Sequence, residues 1–135
     1  MTKTPTFTAT LDMVGIVTAD PGRSLAFYRA LGLPIPEGLD DAPHVEVTSG
    51  GMRLAWDPES TVRSFHPSWE PVRGGRIGLA FLVDSAARVD ELYAAVVAAG
   101  FDGVLEPFDA PWGQRYATLH DPDGNGVDVF APLSD

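Results

Sequence analysis

Apolar and polar residues along this chain alternate with two different periods, and each change of period marks a new element. The stretches "LDMVGIVT", "VEVTS" and "MRLAWD" have the apolar runs or the period of two that predict strands. Between the first two lies "ADPGRSLAFYRALGL", which predicts a helix. Asp20 is a good N-cap, Pro21 suits the first helical position, and Gly32 supplies the C-terminal stop.

The same order of elements recurs further along the chain. "RIGLAFLV" predicts a strand, Ser85 can cap the helix "AARVDELYAAVVAAG", and "DGVLEP" predicts a short strand. A shift of 65 positions places Tyr28 of the first helix on Tyr93 of the second. We therefore predict two tandem βαβββ units, at about residues 10–57 and 76–131.

The stretch "HDPDGNGVDVF" resembles the first half of a calcium loop, with D-x-D-x-N-G from Asp121 to Gly126. A complete loop needs a bidentate Glu at its twelfth position, which here is Pro132. The residues after Gly126 alternate as in a strand, and "RYATLH" before the turn predicts another strand. The sequence therefore predicts a β-hairpin over residues 115–130 and no calcium site.

Residues 58–75, "PESTVRSFHPSWEPVRGG", connect the two units without a predicted regular element. A connection of this length inside a compact domain is usually functional or disordered. Phe65, His66 and Trp69 argue against disorder, because disordered segments are poor in large aromatic residues. We interpret the segment as a lid or a packed crossover.

Length and charge narrow the function classes. A chain of 135 residues is expected to form one domain with a sizeable core, and the lack of cysteine excludes disulfides, thiolate metal sites and cysteine nucleophiles. A formal net charge of −10 makes nucleic acid and anionic membranes improbable partners, and it favours a cationic ligand over an anionic one. No signal peptide or long apolar run is recognised, so a cytoplasmic location is expected.

Two βαβββ units with "SLAFYRALGL" in the first and "DPDGNGVDVF" in the second resemble the vicinal oxygen chelate superfamily over residues 10–132. This superfamily includes glyoxalase I, extradiol dioxygenases, fosfomycin resistance proteins and bleomycin-binding proteins. The resemblance implies an α+β fold in which two tandem βαβββ modules form a β-cup. It also implies a single domain over residues 1–135, with residues 58–75 as the crossover.

In metal enzymes of this superfamily, four strand positions supply the ligands, and these positions correspond here to Met13, Ala55, Gly78 and Asp128. Only Asp128 offers a good donor for a hard or borderline divalent ion, because Ala and Gly have no donor and a thioether suits soft ions. A catalytic metal needs about three protein ligands. We therefore expect no metal, no other cofactor and no metal-assisted catalysis at this position.

A cup without a metal can still bind a small molecule. If Met13, Gly15 and Val17 face the cup, then small residues at 15, 55, 78 and 80 leave volume there. Glu46 points either into the cup or into solvent, Arg115 pairs with Asp128 or with a ligand carboxylate, and Trp56 is expected in the core. The predicted ligand-binding residues are Met13, Glu46, Ala55, Phe65, Trp69, Gly78, Trp112, Arg115, Tyr116 and Asp128.

The resulting hypothesis is a metal-independent small-molecule-binding protein. The resemblance implies that bleomycin-resistance-type members sequester flat, cationic antibiotics without chemistry, and that the protein forms a homodimer, either domain-swapped or side by side. The alternative is a lyase or dioxygenase whose divergent metal site uses His44, His66 or His120 with Asp128. A third possibility is a non-enzymatic module that binds a partner at the edge of the cup.

Overall fold

The computed structural model describes residues 7–133, and within them the chain forms three helices and seven strands. In chain order these are β1 (Met13–Thr18), α1 (Pro21–Ala30), β2 (Val45–Ser49), β3 (Met52–Pro58), α2 (Glu59–Phe65), β4 (Leu79–Leu82), α3 (Ala86–Ala98), β5 (Asp102–Ala110), β6 (Gln114–His120) and β7 (Gly126–Pro132).

The strands form two mixed sheets, one for each predicted module. The first sheet has the order β1-β3-β2 and the second has the order β4-β7-β6-β5. In each sheet the first strand of the module pairs in parallel with its last strand, and the neighbouring strands pair antiparallel. The predicted α+β fold class with two tandem modules is confirmed.

The first module has one strand fewer than the second. Residues 31–44 follow α1 and form no strand, whereas the equivalent part of the second module forms β5. This segment contains Pro34 and Pro36, which lack the N–H that a sheet ladder needs, and Gly38 with a φ of +82°. The first module is therefore βαββ, whereas the second is βαβββ.

The crossover contains the helix α2, which the sequence pattern did not predict. Pro58 precedes the helix, Val62 is its buried residue, and the Thr61 hydroxyl donates a hydrogen bond to the Pro43 carbonyl at 2.7 Å. One buried apolar residue in seven gives too weak a periodicity to recognise from sequence. The helix anchors the N-terminal part of the crossover to the first sheet.

The predicted helix ends are confirmed. The Asp20 carboxylate accepts a hydrogen bond from the Arg23 N–H at 3.1 Å, and the Ser85 hydroxyl accepts one from the Arg88 N–H at 3.2 Å. These bonds satisfy N–H groups that have no partner within the first turn of a helix. Gly32, after α1, adopts a φ of +102°, as expected for a helix stop.

The core joins the two modules through α1. Tyr28 and Trp56 are both fully buried and meet at a ring-centroid distance of 5.2 Å, which confirms the expected core position of Trp56. On the same helix, Phe27 packs edge-on against Phe101 of the second module at 5.3 Å. Helix α1 thus contributes apolar side chains to both halves of the core.

Candidate functional site

Each sheet has one side packed against helices and one open side. In β1, Ile16 and Thr18 are buried, whereas Met13, Gly15 and Val17 lie on the opposite side, as predicted. Strand register places Ala55 beside both Gly15 and Glu46 on that side. We call this open side the first face. Its residues are Met13, Gly15, Val17, His44, Glu46, Thr48, Arg53, Ala55 and Asp57.

Charged side chains form a continuous network on the first face. The Arg53 guanidinium donates to Asp12 and, at 2.9 Å, to Glu46. His44 contacts Glu46 through Nε2 at 2.8 Å and Asp57 through Nδ1 at 2.6 Å. Glu46 therefore lies on the open side of the sheet, between its two basic partners His44 and Arg53.

Hydrogen bonding within this network shifts the protonation of its members. The bond to Glu46, followed by the bond to Asp57, raises the pKa of His44 above 6.5. The bonds from His44 and then from Arg53 lower the pKa of Glu46 below 4.5. Both groups are therefore held in their charged forms over a wider pH range than usual.

Asp128 lies on the open side of the second sheet with two hydrogen-bond donors. The Tyr116 hydroxyl donates to its Oδ2, and the Thr118 hydroxyl donates to its Oδ1 at 2.8 Å. The bond to Asp128 raises the pKa of Tyr116 to about 12. Ala80 of β4 is the register partner of Asp128, and Gly78 comes directly before β4.

Tyr116, which donates to this carboxylate, belongs to a cluster of four aromatic rings. Tyr116 stacks on Phe130 at 6.3 Å, and Trp112 meets Tyr116 edge-on at 5.3 Å. Phe108 meets both Trp112 and Tyr116 at 6.2 Å. Trp112 is 59% exposed and donates from Nε1 to Gln114. We call Phe108, Trp112, Tyr116, Thr118, Asp128 and Phe130 the second face.

Arg115 lies on the other side of β6 from these residues. Its guanidinium pairs with Asp90 of α3 at 2.8 Å and with Asp109 at 2.9 Å. The alternative pair with Asp128 is wrong, because side chains at odd positions of β6 point towards α3 and Asp128 does not. Arg115 is therefore not part of the second face.

The two aromatic residues predicted from the crossover occupy different environments. Phe65 is 72% exposed at the end of α2. Trp69 is half-buried, and the Arg63 guanidinium lies over its ring at 5.3 Å. Only Trp69 lines a cleft, so the crossover contributes one of its two predicted residues to a concave surface.

Two clefts of about 460 Å³ each lie along the seam between β1 and β4. The first is bounded by residues 14–17 of β1, the crossover, Ile77, Leu79 and the turn at Asp123. The second is bounded by Val14, the β2–β3 turn and the whole of β4. Val14 and Leu79 line both clefts, so the two clefts meet at these residues.

The turn between β6 and β7 is organised by a buried carboxylate that sequence reasoning did not single out. Asp121 accepts hydrogen bonds from the backbone N–H groups of Asp123 and Asn125, from the Asn125 amide, and from the Tyr28 hydroxyl at 2.7 Å. The calcium-like spacing thus serves to form a turn and to join it to α1, and the predicted hairpin is confirmed. The D-x-D-x-N-G motif was the sequence signal from which this role of Asp121 could have been recognised.

The donor set at the superfamily's ligand positions does not fit a divalent metal. Met13, Ala55 and Gly78 provide one thioether and two positions without a donor, which leaves Asp128. Among residues 7–133, no group of three or more His, Cys, Asp or Glu side chains is arranged to hold a metal ion. Both ring nitrogens of His44 already contact carboxylates.

The chain can be assigned to a known class of proteins. The sequence profile of the Glyoxalase/Bleomycin resistance protein/Dioxygenase superfamily matches residues 10–129, and the chain belongs to this superfamily. No curated protein matches the chain in sequence.

Solved structures with the same fold superpose on nearly the whole chain. A glyoxalase/bleomycin resistance protein/dioxygenase family enzyme from Burkholderia phytofirmans PsJN is 24% identical, with a TM-score of 0.79 over 93% of this chain and 100% of that chain. A glyoxalase-related enzyme from Fulvimarina pelagi is 20% identical, with a TM-score of 0.78 over 90% of this chain and 87% of that chain. A protein from Agrobacterium tumefaciens is 28% identical, with a TM-score of 0.71 over 94% and 100%, respectively.

Within residues 7–133, none of the helices has the length and apolar character required to cross a lipid bilayer.

Proposed function

We propose that this protein is a metal-independent receptor that sequesters a flat, cationic small molecule, such as an antibiotic or a metabolite. The observation that carries the proposal is the juxtaposition of Asp128 with four aromatic rings on the second face. A planar ligand can stack on such rings while its positive charge lies near the carboxylate. The net charge of −10 adds a long-range attraction for cations.

The chemistry of the second face favours binding over catalysis. Raising the pKa of Tyr116 to about 12 keeps its hydroxyl protonated at neutral pH, so it acts as a hydrogen-bond donor and not as a base. Asp128 accepts bonds from Tyr116 and Thr118 but retains lone pairs for a ligand N–H. The poor metal donors at positions 13, 55 and 78 argue against the superfamily's metal chemistry.

We further propose that the working unit is a homodimer with its cups built between chains. The first face contributes Gly15, Val17 and Arg53 to the two clefts along the seam, whereas no residue of the second face lines either cleft. The two faces of one chain therefore do not merge into one cleft. A second copy, related by a two-fold axis, can bring the first face of one chain to the second face of the other.

The test is a titration of chelator-treated protein with ethidium, a permanently charged flat cation, and with phenanthridine, its uncharged parent ring system. Saturable quenching of tryptophan fluorescence and a raised Tm are expected with ethidium. Asp128→Asn should weaken ethidium binding about fivefold to tenfold and leave phenanthridine binding unchanged. Asp109→Asn is the matched control, since its carboxylate faces Arg115, and it should bind like the unaltered chain.

Three results would overturn the proposal. Tight one-to-one binding of Zn²⁺, Ni²⁺, Mn²⁺ or Fe²⁺ in calorimetry would favour a lyase or dioxygenase with a divergent metal site. If neither dye binds, the receptor hypothesis is wrong, and a module that binds a macromolecular partner is favoured. If light scattering shows a monomer, the hypothesis of a cup built between chains is wrong.

A further inference from the structure

His44 occupies a position on the first face that only its doubly protonated ring can satisfy. Nδ1 lies 2.6 Å from an Asp57 oxygen and Nε2 lies 2.8 Å from a Glu46 oxygen. A neutral imidazole has one N–H and one lone pair, so it can donate to only one of these carboxylates. The other contact would then place a lone pair against a carboxylate oxygen, which is repulsive.

The charges around this ring come from three parts of the chain. Glu46 lies on β2, Arg53 and Asp57 lie on β3, and Asp12 precedes β1. With His44 charged, the network holds two cations and three anions, and with His44 neutral it holds one cation and three anions. Helix α2 packs beside β3 and carries Glu59 and Arg63, which pair with each other at 3.5 Å.

We propose that His44 gates the affinity of the first face for a cationic ligand. While the ring carries both protons it donates to Glu46 and Asp57, and when it loses one proton one of these carboxylates loses its donor and can pair with the ligand's positive charge. This inference rests on the proposed receptor function, since it concerns the same cationic ligand and the cup to which the first face contributes.

The direction of the gate follows from the shifted protonation of His44. Because hydrogen bonds to Glu46 and Asp57 raise the pKa of His44, the transition lies above 6.5, and the ring is charged on the acidic side of it. Ethidium carries the same charge on both sides of this transition. The affinity for ethidium should therefore increase as the pH rises and should level off once His44 is neutral.

The experiment measures the dissociation constant of ethidium from pH 5.5 to 9 alongside an NMR titration of the His44 ring in the full-length protein. We expect the affinity to increase about fivefold to tenfold, with the same midpoint as the His44 titration. Phenanthridine binding should stay constant above pH 6. His44→Gln should bind ethidium independently of pH, whereas the control His66→Gln, which changes an exposed crossover residue, should retain the step.

The outcomes separate this inference from the receptor function. If ethidium binds and its affinity is constant with pH, or if the step persists in His44→Gln, the gate is wrong and the receptor stands. If neither dye binds at any pH, both are wrong. Glu46→Gln sharpens the test, because removing the strongest partner should lower the NMR midpoint of His44.

Discussion

The first module carries a network of five charged groups of alternating sign, four of them on its open face, whereas the second carries one carboxylate beside a cluster of four aromatic rings. Both faces are built from the same pairing of a module's first and last strands. The duplicated backbone therefore fixes where side chains point, and divergence between the two sequences decides what each face can bind. A site formed from both faces would offer a ligand a stacking surface on one side and ion pairs on the other.

The two helices show the same divergence on the packed side of the sheets. Tyr28 and Tyr93 occupy equivalent positions in α1 and α3, but only Tyr28 is fully buried and donates its hydroxyl to Asp121. Within residues 7–133 the Tyr93 hydroxyl makes no hydrogen bond, and it lies where a side chain at position 103 would stand. Gly103 makes room for it. Burial raises the pKa of Tyr28, and the neighbouring Asp121 charge raises it further.

The largest expected effect is the loss of the hydrogen bond from Tyr28 to Asp121, which joins the two modules, in Asp121→Ala. This change removes the acceptor of four hydrogen bonds and leaves the buried Tyr28 hydroxyl without a partner. The free energy of unfolding should fall by at least about 3 kcal/mol, measured by urea denaturation. Asp41→Ala, at an exposed aspartate, should change it by less than about 0.5 kcal/mol, and equal losses in the two variants would contradict the assigned role of Asp121.

A smaller difference in the free energy of unfolding is expected between alanine substitutions in the hairpin turns of the two modules. Gly51 and Gly124 have φ values of +81° and +85°, so alanine is strained at both positions. At Gly124 the new Cβ would also lie 2.9 Å from Cγ of Arg73, whereas nothing lies within 4 Å at Gly51. Denaturation should give losses of about 2 kcal/mol for Gly124→Ala and about 1 kcal/mol for Gly51→Ala. A larger loss at Gly51 would mean that the crossover does not pack on the second turn.

The tyrosine pair provides a finer test of the same asymmetry. Tyr28→Phe removes one hydrogen bond to a buried carboxylate and should cost about 1–2 kcal/mol. Tyr93→Phe removes a hydroxyl without a bonding partner in the described part of the chain and should cost less than about 0.5 kcal/mol. Thermal and urea unfolding of the two single variants measure this difference. Similar losses would show that the hydrogen bond from Tyr28 to Asp121 adds no measurable stability.

The smallest expected effect is a dependence of stability on pH in the first module. The pKa of His44 is higher in the folded than in the unfolded protein, so its contribution is complete below about pH 6.5 and is lost as the pH rises through the folded value. The free energy of unfolding should therefore decrease more between pH 6 and pH 8.5 in the unaltered chain than in His44→Gln. An identical decrease in both proteins would show that His44 makes no stabilising ion pair.

Elements defined by local residue chemistry were predictable from the sequence. The caps at Asp20 and Ser85 and the hairpin after His120 depend on neighbours only three to six positions away. The missing strand after α1 was not anticipated, although Pro34 and Pro36 are visible in the sequence, because the internal repeat suggested a complete second copy.

Features that depend on strand register were less accessible. The contact of His44 with Asp57 joins a residue directly before β2 to one on β3, 13 positions apart, and the pair of Arg115 with Asp90 joins residues 25 apart on a strand and a helix. No local spacing encodes either contact, since a shift of one residue in a strand would reverse the side on which these residues lie. The superfamily resemblance pointed to the position of Asp128, which lies on the open side of the second sheet, and its role in binding stays a prediction.

The bond between Tyr28 and Asp121 also constrains when the protein can complete its fold during synthesis. The two residues are 93 positions apart, and the helix that carries Tyr28 leaves the ribosome long before the turn that carries Asp121. At about 5–20 residues per second, roughly 5–19 s pass between them. Throughout that interval the first module has a core tyrosine whose hydroxyl lacks its acceptor, so the module reaches its final packing only when the last hairpin arrives.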